Sequence, residues 1–311
     1  MKLSIVIPVF NEQDNLPILN RRILESTSSH QVEIIYIDDG STDKSLYVLQ
    51  QLHEKYKEVK IIQLRKNFGQ TAAMDAGFKL ASGEIIITMD ADLQNDPADI
   101  PQLLEKINKG FDCVSGWRYY RKDPFFTKKL PSLFSNTIVK LVSGIKVHDQ
   151  GCSLKAYKKE AIKDLELYGE MHRFIPLILQ LKGFRIGEVK VKHHPRRFGK
   201  TKYTIKRLFK GFLDLAYIKF WSDFSNKPIH FFGGLGILSI LLGTIVGIAN
   251  VYYHLFVLHT KPFEVGPLLL LAVLMIIVGI QFIAMGFLGE ILIRIYYKDN
   301  LSSYSVKNIN K

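Results

Sequence analysis

The sequence predicts an α/β fold with a mostly parallel, doubly wound sheet, followed by two membrane-spanning helices. Three observations predict it. Over residues 1–160, short runs rich in Ile and Val alternate with segments of helical spacing, the pattern of a parallel sheet wound with helices. Residues 231–253 and 267–289 are two runs of 23 residues, the first without a charge and the second likewise uncharged up to its end. A mean hydropathy of +0.07 beside 23% charged residues requires charged and apolar material to segregate along the chain.

In order, residues 3–9, 32–38, 59–64 and 84–90 read as buried strands, and 15–27, 42–56 and 70–81 as the helices between them. No GxGxxG follows the first strand, which excludes the dinucleotide-binding fingerprint. Only Cys113 and Cys152 occur, so a disulfide framework is excluded and a reducing compartment is expected. Each apolar run is long enough to cross a hydrocarbon core of about 30 Å at about 1.5 Å per residue. Lys219 and Lys227 precede the first run, Arg294 and Lys298 follow the second, and the connection at 254–266 carries only Lys261 and Glu264. That asymmetry places both termini and the soluble domain in the cytoplasm, in a two-span protein of the inner or plasma membrane. The N-terminus shows no signal-peptide cleavage pattern. The expected organisation is a soluble domain over 1–228, with interfacial amphipathic helices near 129–143 and 203–222, a two-helix membrane domain over 229–298, and a tail over 299–311.

Ligands of open α/β sheets bind beyond the carboxyl ends of the strands, and three strand ends here are polar or acidic. The first carries Pro8, Asn11 and Glu12, the second Asp38 to Asp43, and the fourth Asp90, Ala91, Asp92, Leu93 and Gln94. Asp43 suits a helix start, whereas Asp38 and Asp39 directly follow a buried run. A D-x-D is common in turns, but Asp90 and Asp92 close an apolar run, where two carboxylates can share a hard divalent cation and leave positions open for phosphate oxygens. Mg²⁺ or Mn²⁺ there would stabilise a departing nucleoside diphosphate.

The net charge of +13 is concentrated in places: residues 185–210 hold ten Lys or Arg and one acid, Glu188. Lys206, Arg207 and Lys210 fit a surface on anionic headgroups. Arg196, Arg197, Lys200 and Lys202, around Gly199, fit a hinged loop that closes on phosphate. Arg118, Arg121, Lys122, Lys128 and Lys129 form a second cluster ahead of an apolar-basic stretch. Basic residues beside two apolar runs fit lipid phosphate better than nucleic acid. His172, Arg173 and Asp149 are ambiguous from spacing, and Cys152 reads as a packing residue.

Seven ordered segments, PVFNE (8–12), DDGSTD (38–43), RKNFGQTAA (65–73), MDADLQNDP (89–97), DQGCSLKAY (149–157), HRFIP (172–176) and HHPRRFGKTKY (193–203), resemble the inverting family-2 glycosyltransferases that charge a polyprenyl phosphate. This group includes dolichol-phosphate mannose synthases, bactoprenol glucosyltransferases and undecaprenyl-phosphate aminoarabinose transferases. The resemblance covers nearly the whole chain and implies a GT-A fold, a cell-envelope role and a homotetramer. By motif it implies that Pro8, Asn11, Glu12 and Asp39, with Asp90, Ala91 and Asp92, hold the nucleotide. It assigns the metal to Asp90, Asp92 and Gln94, and the phosphates to Arg118, Lys129, Ser135, Arg197, Lys200 and Lys202. Asp90, Asp92 and Arg118 are the expected catalytic set. Thr201 stands where relatives usually carry Ser, which keeps the hydroxyl.

The reaction implied is transfer of a sugar from UDP-glucose or a related UDP-sugar to undecaprenyl phosphate, with inversion. A GDP-mannose-dependent mannosyl transfer is the alternative donor reading. A non-catalytic protein that binds anionic membrane lipid is the alternative class. A polysaccharide synthase would carry QxxRW and usually more spans, and neither is present in the sequence.

Overall fold

The computed structural model describes residues 1–119, 147–163, 165, 167, 169, 171–195, 220, 224, 227–258 and 266–298. The chain divides into two compact units, Met1–Ile218 and Lys219–Lys311.

The first unit is built on a seven-stranded sheet of order β3-β2-β1-β4-β6-β5-β7. The strands are β1 (Lys2–Val9), β2 (Gln31–Asp38), β3 (Val59–Gln63), β4 (Ile85–Thr88), β5 (Cys113–Trp117), β6 (Lys155–Lys158) and β7 (Ile186–Lys190). β6 runs antiparallel to both its neighbours, and the other pairings are parallel. The carboxyl ends of β1, β2, β4, β5 and β7 therefore share one edge with the start of β6. The first four strands and α1 (Leu16–Ser26), α2 (Ser45–Lys55) and α3 (Gln70–Leu80) fall where the periodicity predicts them. Later come α4 (Ile100–Asn108), the short α5 (Lys159–Ile162) and α6 (Ile175–Leu181).

Side chains alternate across the strands and give the sheet two apolar faces. Leu3, Ile5, Ile7 and Val9 of β1 pack with Leu16, Leu19 and Ile23 of α1 and Leu103 and Ile107 of α4. Val6, Ile35 and Ile37 face the other way, onto Ala73 and Met74 of α3 and Ile175 and Leu179 of α6. Each such buried aliphatic side chain contributes about 1.5–3 kcal/mol relative to exposure. Both cysteines are buried thiols in this packing, with burial pushing Cys113 up to about 12 and Cys152 up to about 11. They are inert packing residues.

At the amino edge of the sheet, the buried Glu33 accepts from Ser4 Oγ, Ser82 N, Ser82 Oγ and Lys60 Nζ. Burial alone would raise its pKa, but these bonds to the charged form hold it at about 2. This cluster ties β1, β2, β3 and the turn before β4 together, opposite the ligand edge.

The second unit contains α7 (Pro228–Tyr252), which continues as a π-turn over Tyr253–Val257, and α8 (Pro267–Lys298). Pro228–Val257 and Pro267–Ile293 have mean hydropathies of 2.2 and 2.9 and are long and apolar enough to cross a membrane, with only 11% of each apolar window buried. α8 continues nine residues past the expected end at 289, because the Glu290 to Lys298 stretch contains no helix breaker. The two helices meet at glycines: a Cβ on Gly279 would lie 2.7 Å from the Gly236 carbonyl, and one on Gly236 would lie 2.6 Å from that of Gly279. Close backbone approach of this kind is how apolar helices associate where water supplies no driving force. Ser239 Oγ adds a hydrogen bond of 2.7 Å to the Met275 carbonyl.

Glu33→Gln removes a carboxylate whose folded pKa is depressed, so the stability it contributes is present above its ordinary value of 4.5 and is lost as pH falls through about 2. Thermal melts across that range should show the variant less stable at neutral pH by about 1–3 kcal/mol and flatter in its acid dependence. Gly279→Leu should force α7 and α8 apart. Loss of a disulfide otherwise formed between cysteines introduced at facing positions 239 and 275 would report the separation.

Candidate active site

The carboxyl ends of β1 and β2 are knitted to each other before any ligand is considered. Asn11 has φ 58°, a left-handed conformation that asparagine tolerates better than most side chains. In that position its Oδ1 accepts from Thr42 N at 2.7 Å and its own N–H donates to Ser41 Oγ at 3.0 Å. Glu12 N donates to Ser45 Oγ at 2.8 Å, while the Glu12 carboxylate accepts from Asn15 Nδ2. Asn11 and Glu12 thus shape the loop through contacts within the protein, and Pro8 lies half-buried beside Ile37 at the end of β1.

Asp39 is buried and holds the next loop: its two oxygens accept from Phe68 N at 2.7 Å and Gly69 N at 2.9 Å. The turn beneath needs glycine, since Gly40 has φ +68° and a Cβ there would lie 2.6 Å from the Lys66 carbonyl carbon. Gly69 precedes α3, whose first residue Gln70 donates from Nε2 to Asp90 Oδ1 at 2.8 Å. A continuous chain of contacts therefore runs from Asp39 through the start of α3 to Asp90. Gln70 is a site residue that spacing alone does not reveal, although it lies within the 65–73 segment.

Asp90, Ala91, Asp92 and Leu93 form a tight turn after β4, with Leu93 at φ 61° and fully packed. A left-handed leucine costs on the order of 1–3 kcal/mol and persists only where surrounding contacts impose it. Asp92 is buried and its Oδ1 accepts from Gln94 N at 3.1 Å. Burial first, and then the adjacent Asp92 carboxylate, push the Asp90 carboxyl above the usual range, opposed by Ser153, Arg118 and Lys155. Two crowded carboxylates are a donor pair that a hard divalent cation relieves. Asp90, Asp92 and Gln94 fit such an ion with positions left for phosphate oxygens. Among the described residues there is no group of three or more His, Cys, Asp or Glu side chains able to hold a metal by themselves, so the ion's remaining ligands would be an amide, solvent or substrate.

Arg118 lies after β5 and forks onto Asp149, with Nε to Oδ2 at 2.7 Å and Nη2 to Oδ1 at 2.8 Å, both side chains largely buried. Burial would lower the guanidinium pKa, but the Asp149 contact raises it, so Arg118 stays charged. The fork fixes the guanidinium at the end of β5. Lys155 opens β6, paired across the sheet with Thr88 and Ser115. Its buried ammonium donates to the Gln150 carbonyl at 3.2 Å, and burial pushes its pKa down.

The turn after β4 also holds the segment at His193 and His194, which in sequence precedes the basic stretch. His194 N donates to the Gln94 carbonyl at 2.8 Å, Asn95 bridges His193, and His194 Nε2 lies 3.1 Å from Asp96 Oδ2. The structure thus brings together Pro8, Asn11, Glu12, Asp39, Asp90, Ala91, Asp92, Gln94 and Arg118 at one sheet edge. Lys129, Ser135, Arg197, Lys200 and Lys202, and the expected helices at 129–143 and 203–222, lie outside the described residues.

The mostly parallel seven-stranded sheet is that of a GT-A-like domain. The model of the family described as "Glycosyl transferase family 2" matches residues 4–166. A dodecaprenyl-phosphate galacturonate synthase of Rhizobium johnstonii is 40% identical over 99% of this chain and 93% of its own length. An undecaprenyl-phosphate 4-deoxy-4-formamido-L-arabinose transferase of Klebsiella pneumoniae is 38% identical over 95% of this chain and 89% of its own. The chain belongs to glycosyl transferase family 2 and is a glycosyltransferase. Its fold is also that of glucosyl-3-phosphoglycerate synthase from Mycobacterium tuberculosis, crystallised with Mn²⁺ and UDP-glucose, at a TM-score of 0.52 and 18% identity over 70% of this chain and 77% of that one.

Arg118→Ala should remove the bidentate ion pair from the buried Asp149 carboxylate and destabilise the protein by about 3–5 kcal/mol. Chemical denaturation should show this loss to be much larger than that of the double variant Arg118→Ala/Asp149→Ala, and equal losses would refute the coupling.

Proposed function

We propose that this glycosyltransferase moves a sugar from a UDP-sugar donor to a polyprenyl phosphate, with inversion at the anomeric carbon, on the cytoplasmic face of the inner membrane. The observation that carries this reading is likeness over nearly the full chain, apolar helices included, to relatives named for polyprenyl-phosphate acceptors. Those relatives are named for galacturonate and formamido-arabinose, which favours a UDP-linked uronate or pentose-type donor at least as much as UDP-glucose. GDP-mannose is the second donor reading.

In the proposed reaction an oxygen of the lipid phosphate attacks the anomeric carbon while the bond from that carbon to the nucleoside diphosphate breaks. The phosphate, with a second pKa of about 6, is already mostly dianionic at neutral pH, so no strong general base is required. The work left to the protein is orientation and charge. The loops fixed by Asn11, Glu12 and Asp39 form the nucleoside end, with Pro8 beside them. Asp90, Asp92 and Gln94 would hold Mg²⁺ or Mn²⁺, which when bound neutralises the diphosphate. Arg118, oriented by Asp149, offers Nη1 to the acceptor side. Lys129, Ser135, Arg197, Lys200 and Lys202 complete the phosphate contacts in this reading. α7 and α8 anchor the domain in the bilayer with both termini cytoplasmic, as the cationic flanks imply, and the assembly is a homotetramer.

The test is transfer in detergent to undecaprenyl phosphate from labelled UDP-galacturonate, UDP-glucose, UDP-linked aminoarabinose and GDP-mannose, with Mn²⁺ or Mg²⁺. One donor should label the lipid phase. Asp92→Ala should lower turnover on the order of a thousandfold while its melting temperature stays near that of the parent. No transfer from any of these donors, by protein that is folded, would contradict the reading.

A further inference from the structure

An aromatic and cationic cluster stands at the ligand edge of the sheet, around the ends of β5 and β7, and none of the roles assigned above uses it. Trp117 and Tyr119 flank Arg118 in sequence, and their rings meet edge to face at 4.9 Å. His148 stacks on Trp117 with centroids 4.3 Å apart and planes 13° from parallel. Lys190, the last residue of β7, sets its ammonium 4.2 Å from the Tyr119 centroid and 5.6 Å from that of Trp117. Glu188 fixes the group from below, accepting from His148 N at 2.7 Å and lying 2.8 Å from His148 Nδ1. The main chain is pinned as well, since Val191 N and Tyr119 N both donate to the Trp117 carbonyl, at 2.9 and 2.8 Å.

Despite this order, the cluster is open. Tyr119 is 48% exposed, and His148 and Lys190 are also exposed. Exposed rings overlaid by an ammonium combine an apolar platform with a cation. That pairing matches a molecule whose phosphate is joined directly to an unsaturated hydrocarbon chain. A nucleotide sugar offers the phosphates but no hydrocarbon, and a phosphopeptide offers no long apolar chain. Position adds a second argument: Arg118, whose guanidinium forks onto Asp149, lies in the sequence between the two ring-bearing residues.

We propose that Trp117, Tyr119, His148 and Lys190 form the landing site of the polyprenyl phosphate, the rings taking its first isoprene units and Lys190 its phosphate. This rests on the acceptor proposed above and assigns to it a subsite beyond Arg118. Trp117 and His148 give the flat stacked floor, Tyr119 the wall, and Lys190 the charge that selects a phosphorylated chain over a free alcohol. Glu188 is a positioning residue, acting through His148.

The experiment uses the full-length protein in detergent. Trp117 and Trp221 are the only tryptophans in the sequence, so Trp221→Phe leaves Trp117 as the sole indole reporter. Its emission should change on titration with undecaprenyl phosphate, and should not change to the same extent with inorganic phosphate, with undecaprenol, or with phosphatidylglycerol vesicles. Lys190→Gln should raise the acceptor KM about tenfold or more, the loss expected for a hydrogen bond to a charged group. Tyr119→Ala should raise it with Tyr119→Phe near the parent, and donor KM should be unmoved in each. An unchanged acceptor KM in Lys190→Gln and Tyr119→Ala, in enzyme that still transfers, would overturn this inference alone. An equal emission change with phosphatidylglycerol vesicles would overturn it in favour of a bilayer surface. Mn²⁺-dependent nucleotide binding without transfer to any polyprenyl phosphate would instead defeat the acceptor reading on which it rests.

Discussion

Two carboxylates, Asp90 and Asp92, are held close together at the end of a buried strand, and the surrounding architecture answers that crowding. Burial and mutual repulsion both penalise ionisation of Asp90. Gln70 donates to one of its oxygens, and Arg118 and Lys155 supply positive charge nearby. Both cations are buried, and each is tied down in turn, Arg118 by Asp149 and Lys155 by the Gln150 carbonyl. Removing one member leaves another uncompensated in a medium where that is expensive. The result is a strand edge that suits the cation and anionic ligand proposed for it.

Rigid support extends outward from this turn. Asp39 fixes the Phe68–Gly69 backbone, Gly69 leads into α3, and α3 presents Gln70 to Asp90. On the other side Gln94 and Asn95 bond to the His194 and His193 segment, which precedes the basic stretch in sequence. The turns after β1, β2 and β4 are therefore mechanically continuous, the condition that the proposed catalysis by orientation requires. Opposite, the Glu33 cluster closes the amino edge of the same strands, so one end of the sheet is satisfied internally and the other is left with chemistry to perform.

The first half of the fold was legible because parallel strands buried on both faces read as continuous Ile and Val runs. β1, β2, β3 and β4 do so, and the helices between them carry clear apolar spacing. β5, β6 and β7 do not: they are four or five residues long and include Ser115, Gly116, Lys155 and Gly187. A lysine inside a strand reads as surface, yet Lys155 is buried because the antiparallel pairing with Thr88 turns it toward the acidic edge. The Asp and Gln residues of the fourth strand end were readable from their position after an apolar run. The Arg118–Asp149 fork was not, because it joins residues 31 apart in sequence through the order in which the strands are laid down. Asn11 and Glu12 were expected at the nucleoside, and the structure gives them a prior task, shaping the loop through Thr42, Ser41, Ser45 and Asn15.

The acidic strand edge, as proposed, binds a divalent cation and a nucleoside diphosphate together. Calorimetric titration of the full-length protein in detergent with UDP, in Mn²⁺ and in EDTA, for the parent and for Asp90→Asn, tests this. Binding of one UDP per chain should depend on Mn²⁺ and weaken severely in Asp90→Asn. UDP binding of equal affinity in EDTA, or an Asp90→Asn variant that binds as the parent does, would contradict it.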